Sequence, residues 1–155
     1  MPRGPWRPKR FRRRHEISAK RDHVTTAQRD LCGQLLGAAG DVAWIGEESY
    51  LDAVTAVSGS GPGYVFYLVE CLAAAGRDAG LPSDLAEKLA RATIEGAGEL
   101  LRRSALSPGQ LRENVTSPGG TTAAGLSVLM REPGLSGLMR ETVAAAARRS
   151  RELSE

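Results

Sequence analysis

An all-α fold follows from three features of this 155-residue sequence. Aromatic residues make up only 5% of it, and Ala, Gly and Leu carry most of the apolar content. That leaves too little Val, Ile, Tyr and Phe for the strands of a sandwich. Apolar residues recur three and four apart along most of the chain. Pro and Gly fall between those stretches, where helices start and stop. The length suffices for one domain with a core.

The first 23 residues, MPRGPWRPKRFRRRHEISAKRDH, have Pro at 2, 5 and 8 and no apolar period, and read as a disordered leader. They hold nine of the 21 Lys+Arg and two of the 18 Asp+Glu, so residues 24–155 keep 12 basic and 16 acidic, a net of −4. The basic character of the chain therefore belongs to the leader. Three readings of it stay open. It tethers nucleic acid through phosphates, it is an Arg-rich organelle presequence, or it is a non-native start. The last suits the compositional contrast best, and nucleic acid is not expected as the main partner.

Residues 25–39 read as an amphipathic helix, with Leu31, Leu35 and Ala38 on one face, Thr25 or Thr26 as its cap and Gly40 as its stop. VAWIG (42–46) is a short strand that cannot stand alone. Residues 49–57 form a helix, SGSGPG (58–63) breaks it, and 64–80 resume it with an apolar band wide enough to predict deep burial. Gly80 and Pro82 end that helix. Ser83 or Asp84 caps the next, which runs to about Ser104. Its small residues Ala92, Gly96 and Gly98 predict close approach of another helix, because mid-helix Gly otherwise costs about 1 kcal/mol. Residues 107–114 form a short helix with Pro108 in its first position, 117–122 a turn, and 123–130 a helix. Residues 132–134 break the chain, and a last helix ends near Leu153.

Several functional classes drop out. Cys32 and Cys71 are too few for a disulfide framework and sit in no CxxC pair. His15 and His23 have no third ligand at a useful spacing, so no metal site is expected. No apolar run approaches the ~20 residues of a membrane span, and no apolar core follows the basic start as in a secretory signal. A cytoplasmic protein with no membrane partner is the expectation.

Two Gly-rich segments bear on chemistry. SGSGPG contains a GxG, but a dinucleotide fingerprint needs GxGxxG after a strand within a βαβ unit. Here Pro62 intrudes and the preceding segment reads as helix, so a kink between helices is the better reading. NVTSPGGTT (114–122) is more telling. Ser117 precedes Pro118 and is held extended. Gly119 and Gly120 admit close backbone approach or positive φ. Thr121 and Thr122 fall in the first turn of a helix, whose N–H groups suit an anion. An ordinary helix cap is the plainer alternative.

AVTAVSGSGPGYVFYLVE (53–70) and LRENVTSPGGTTAAGLSVL (111–129), followed by the closing AAAARRSREL (144–153), resemble the C-terminal domain of the pyrroline-5-carboxylate reductases. The resemblance covers about 24–155 and leaves the leader unmatched. It implies a helical bundle similar to the 6-phosphogluconate dehydrogenase C-terminal-like dimerisation domain over 48–155. It makes 24–47 the end of a Rossmann domain, one helix and one edge strand, whose remainder is not in this sequence. The implied reaction is NADH- or NADPH-dependent reduction of 1-pyrroline-5-carboxylate to L-proline. The implied partners are the imino-acid substrate and a second copy of the chain, with higher oligomers built from dimers.

The resemblance also implies roles. Amides of Gly119, Gly120 and Thr121, with the Ser117 hydroxyl, hold the substrate carboxylate. The Thr122 hydroxyl, as the catalytic group, bonds the ring nitrogen. Val115 lines the substrate site, and Asn114 lies by the cofactor. The chain departs from the family pattern at Gly63, where alanine is usual. With no GxGxxG anywhere in it, the chain by itself is expected to be inactive; the alternative is a non-catalytic dimerisation module that pairs with a full-length reductase.

Overall fold

The structure, a computed structural model, describes residues 16–19, 24–38 and 42–154. Two short strands come first. Glu16–Ala19 (β1) and Val42–Ile45 (β2) pair in parallel, Glu16 opposite Val42 and Ala19 opposite Ile45. Parallel neighbours need a crossover, and helix Thr26–Gly37 (α1) supplies it. Thr25 is its cap: its hydroxyl accepts from Gln28 N at 3.3 Å, and Gln28 Oε1 accepts from Thr25 N at 2.9 Å. The helix lies against β2 through Trp44, whose ring centroid is 4.7 Å from the Arg29 guanidinium. The expected stop at Gly40 and both histidines lie outside the described residues.

Strand β1 gives Glu16–Ala19 a structure where the sequence reads as part of a disordered leader. Four residues, one of them charged, show no periodicity of their own. They become a strand only because β2 pairs with them.

The segment SGSGPG does not break the helix. A 3₁₀ turn (Glu48–Tyr50) leads into Leu51–Val54 (α2), and one wide π-turn, Thr55–Gly59, carries the backbone into Gly61–Asp78 (α3). The closing bond runs from Ser60 N to Thr55 O at 2.9 Å. Pro62 accounts for the widening, since it has no N–H to extend the ladder and its ring crowds the preceding turn. Tyr64 Oη donates to Ala56 O at 3.1 Å, and Ala56 is fully buried. Gly80, at φ +98°, turns the chain, and Leu81 N donates back to Gly76 O at 3.0 Å. Pro82, with neither Ser83 nor Asp84, takes the cap position of Ser83–Arg103 (α4), and no side chain bonds there.

Helix α4 folds back on α3, and the close approach is at Gly76. A Cβ on Gly76 would stand 3.3 Å from Ala86 Cβ and 3.4 Å from Leu81 Cδ1. Ala73, Ala86 and Ala90 are buried. Gly96 and Gly98, where close approach was expected, have nothing within 4 Å of such a Cβ. Gly76→Ala is expected to be near neutral: about 1 kcal/mol of helix propensity offsets the shift of Ala86. Gly76→Leu overpacks the seam and is expected to cost roughly 1–3 kcal/mol, read as a lower urea midpoint. An unchanged midpoint for the leucine variant would place the helix contact elsewhere.

The remaining described helices are Pro108–Asn114 (α5), Thr121–Leu129 (α6) and Leu135–Ser154 (α7). Ser107 caps α5 through a reciprocal pair of bonds with Gln110, and Pro108 opens it as expected. Helix α7 packs on α2 and the π-turn. At the end of α4 the Glu99 carboxylate meets Arg102 and Arg103, each at 2.6 Å. The bond from Arg102 holds that carboxyl down at about 2. The cluster is exposed and contributes little to stability. Among the described residues, no helix is long and apolar enough to cross a membrane.

The apolar residues buried among those described are four alanines, at 56, 73, 86 and 90. The wide band of α3, expected to be buried, is largely bare: Phe66 is 59%, Tyr67 66% and Leu72 41% exposed. One neighbouring helix covers one stripe, and this band is wider than a stripe. A patch of this kind on a single chain marks an interaction surface.

Candidate functional site

The stretch 114–122 folds as a helix end, a tight turn and a helix start. Asn114 is the last residue of α5 and is exposed, and Val115 caps that helix at 60% exposure. Residues 117–120 form the turn. Gly120 N donates to Ser117 O at 3.0 Å, and Gly119 has φ +70°. Pro second and positive-φ Gly third is the signature of a type II turn. Pro118 fixes one torsion in advance, and Gly119 supplies the one that L-residues resist. Helix α6 begins at once, with Gly120 in its cap position.

No side chain caps α6. The N–H groups of Thr121, Thr122 and Ala123 are therefore left by the helix geometry without intrahelical acceptors. Thr121 and Thr122 are exposed, as is Ser117. The structure thus brings all seven sequence-predicted residues onto one corner, between the C-terminus of α5 and the N-terminus of α6. The Gly120 N–H is engaged within the turn, and a Cβ on Gly120 would lie 3.1 Å from Ser117 O.

Behind the corner lies a cavity of about 340 Å³, walled by Arg112, Thr116, Ala123, Leu126 and Met130 among others. Arg112 Nη1 approaches Met130 Sδ at 3.1 Å and ties α5 to the end of α6. Thr116 Oγ1 donates to Arg112 O at 2.5 Å. Sequence reasoning passed over Arg112 and Thr116. The available signal was a threonine just past a helix end, where a hydroxyl bonds the carbonyl four residues back. The SGSGPG segment spans the end of the π-turn and the first turn of α3, with no strand directly before it, so it is no dinucleotide loop.

Gly119→Ala is expected to weaken the turn by about 1–2 kcal/mol and to displace the amide resonances of Gly120 and Thr121. Gly119→Asn is expected to be tolerated, because asparagine enters positive φ more readily. Unchanged amide shifts across 117–122 in the alanine variant would show that the turn does not need a left-handed residue.

A short βαβ unit leads into a helical domain that leaves a broad apolar face of α3 uncovered and bears an open amide corner. The chain belongs to the pyrroline-5-carboxylate reductase family: residues 48–153 match the family described as "Pyrroline-5-carboxylate reductase dimerisation". A pyrroline-5-carboxylate reductase of Glycine max is 46% identical over 131 residues, 84% of this chain and 47% of that protein. One of Pseudomonas aeruginosa is 42% identical over 132 residues, 85% of this chain and 48% of that protein. Among solved structures, a pyrroline-5-carboxylate reductase from Coxiella burnetii superposes with a TM-score of 0.85 at 35% identity, covering 92% of this chain and 53% of that one. A Plasmodium falciparum pyrroline carboxylate reductase with NADP bound gives 0.75 at 30% identity, covering 91% and 53%. The chain spans about half the length of the curated relatives it matches.

Proposed function

We propose that this chain supplies the substrate-holding and dimerising part of a pyrroline-5-carboxylate reductase, acting in the NADH- or NADPH-dependent reduction of 1-pyrroline-5-carboxylate to L-proline. The observation that carries the reading is the type II turn at Ser117–Gly120 opening directly onto the uncapped start of α6. A small carboxylate suits amides at a helix N-terminus. Gly119 and Thr121 N–H, with Ser117 Oγ, hold the carboxylate, and Gly120 lets it approach the backbone. Thr122, within the first turn of α6, accepts the N–H of the ring iminium and orients the acceptor carbon. Such orientation contributes several kcal/mol. The iminium already carries its proton, so this chain need not deliver one.

The residues here do not by themselves make a dinucleotide site. The sequence holds no GxGxxG, and Asn114 and Val115, exposed beside the turn, are the residues we assign to the nicotinamide side. The reduced nicotinamide would bring the hydride; no further step is assigned to it.

The test is a rate assay with 1-pyrroline-5-carboxylate and NADPH. The 155-residue chain alone is expected to give no turnover, and a mixture with a separately expressed dinucleotide-binding domain of a relative is expected to restore it. Silence of every such mixture would remove the reductase reading. A second reading, a non-catalytic module that pairs with a full-length reductase, is favoured by the bare face of α3. On that reading the chain co-purifies with the full-length enzyme and lowers its rate.

A further inference from the structure

We infer that Thr116 is a positioning residue for the imino-acid corner, locking the joint between helix α5 and the turn at Ser117–Gly120. The inference rests on the reading of that corner as the substrate site. Within a regular helix, Arg112 O would accept from Thr116 N. Here Thr116 N donates to Glu113 O instead, at 3.0 Å, as the last turn tightens. That leaves the Arg112 carbonyl without its helical donor. The Thr116 hydroxyl takes the vacant place at 2.5 Å. One residue thus closes α5 twice, through its amide and through its side chain.

This double closure sets where the turn leaves the helix. Ser117 is held extended by Pro118, and the turn is closed by Gly120 N on Ser117 O at 3.0 Å. The turn and α5 are each rigid, and Thr116 is the joint between them. Thr116 is half-buried, and it borders the cavity behind the corner together with Ala123 and Leu126 of α6. Its hydroxyl therefore anchors to α5, while the residue faces the helix whose amides receive the carboxylate. Without that bond the turn can swing about 115–117, and the amides of Gly119 and Thr121 no longer converge on one anion.

The experiment titrates L-proline into the ¹⁵N-labelled chain and follows the amides of residues 117–122. The unaltered chain is expected to show saturable shifts there. Thr116→Val keeps the shape and removes the hydroxyl; its L-proline dissociation constant is expected to rise roughly 3- to 12-fold, the loss of one side-chain hydrogen bond. Thr116→Ser restores the hydroxyl and is expected to bind within about twofold of the unaltered chain, a rescue that a purely space-filling role would not give. Equal binding by the valine variant, or failure of serine to rescue, overturns the role of Thr116 while leaving the site intact. No shift in the unaltered chain overturns the site itself. If the valine variant does not fold, hydrogen exchange of the Thr116 hydroxyl in the unaltered chain decides. Exchange slowed by saturating L-proline supports the lock, and unchanged exchange overturns it.

Discussion

Phe66→Asp is expected to convert a dimer of this chain into a monomer at micromolar concentration. Phe66 stands 59% exposed on α3 beside Tyr67 and within a helical turn or two of Leu72. Burying a phenylalanine stabilises by roughly 1.5–3 kcal/mol. In an isologous dimer the residue occurs twice across one interface. Losing both copies costs about 3–6 kcal/mol, roughly 10²- to 10⁴-fold in the dimer dissociation constant. Two aspartates facing an apolar seam add to that loss. Sedimentation across a concentration series measures it. Leu35→Asp is the control: Leu35 is 66% exposed, but on α1, outside the residues matching the dimerisation family. It is expected to leave the dimer intact. A Phe66→Asp chain that sediments as the unaltered one does would move the interface off α3.

Thr122→Val is expected to lower kcat/KM by roughly 10- to 100-fold in the mixed assay with a dinucleotide-binding domain. The variant keeps the side-chain shape and removes the hydroxyl proposed to accept the iminium N–H. A hydrogen bond to a charged group contributes about 1.5–3 kcal/mol, and each ~1.36 kcal/mol is tenfold in rate. Thr122 is exposed in the first turn of α6 and fills no core, so helix content and urea midpoint should stay the same. L-proline affinity should fall less than kcat/KM, because the amides proposed to hold the carboxylate are left in place by the substitution. Full activity in the valine variant would assign the ring nitrogen to another group.

Pro108 announced the start of α5, and the structure places it there, with Ser107 as the cap before it. These signals act within four residues, so a linear reading reaches them. SGSGPG was legible as a disturbance but not as a π-turn. Whether a helix breaks or widens at Pro62 depends on Tyr64 reaching back to Ala56 and on α7 lying against the turn. Gly76 meets α4, whereas Gly96 and Gly98 of α4 meet nothing among the described residues of this single chain, because helical spacing alone does not say which face of a helix its neighbour in the same chain will cover. At the corner, Ser-Pro-Gly-Gly announced a turn, and its type came from Gly119 at φ +70° and the Gly120 N to Ser117 O bond. The loss of Gly120 N–H to Ser117 O, and the second closure of α5 by Thr116, appeared only with coordinates.

What the sequence determined by itself is whatever local torsions and caps decide: the order of the helices, Pro108 opening α5, and a turn at 117–122 whose glycines admit positive φ. What only the tertiary structure decided is pairing. Strand β1 exists because β2 lies beside it, the α3–α4 seam runs through Gly76, and the apolar band of α3 stays bare on the single chain. The physical reason is range. A torsional preference or a cap acts over three or four residues and is written in their order. Burial and strand pairing join residues far apart in sequence, and periodicity names an apolar face without naming what will cover it.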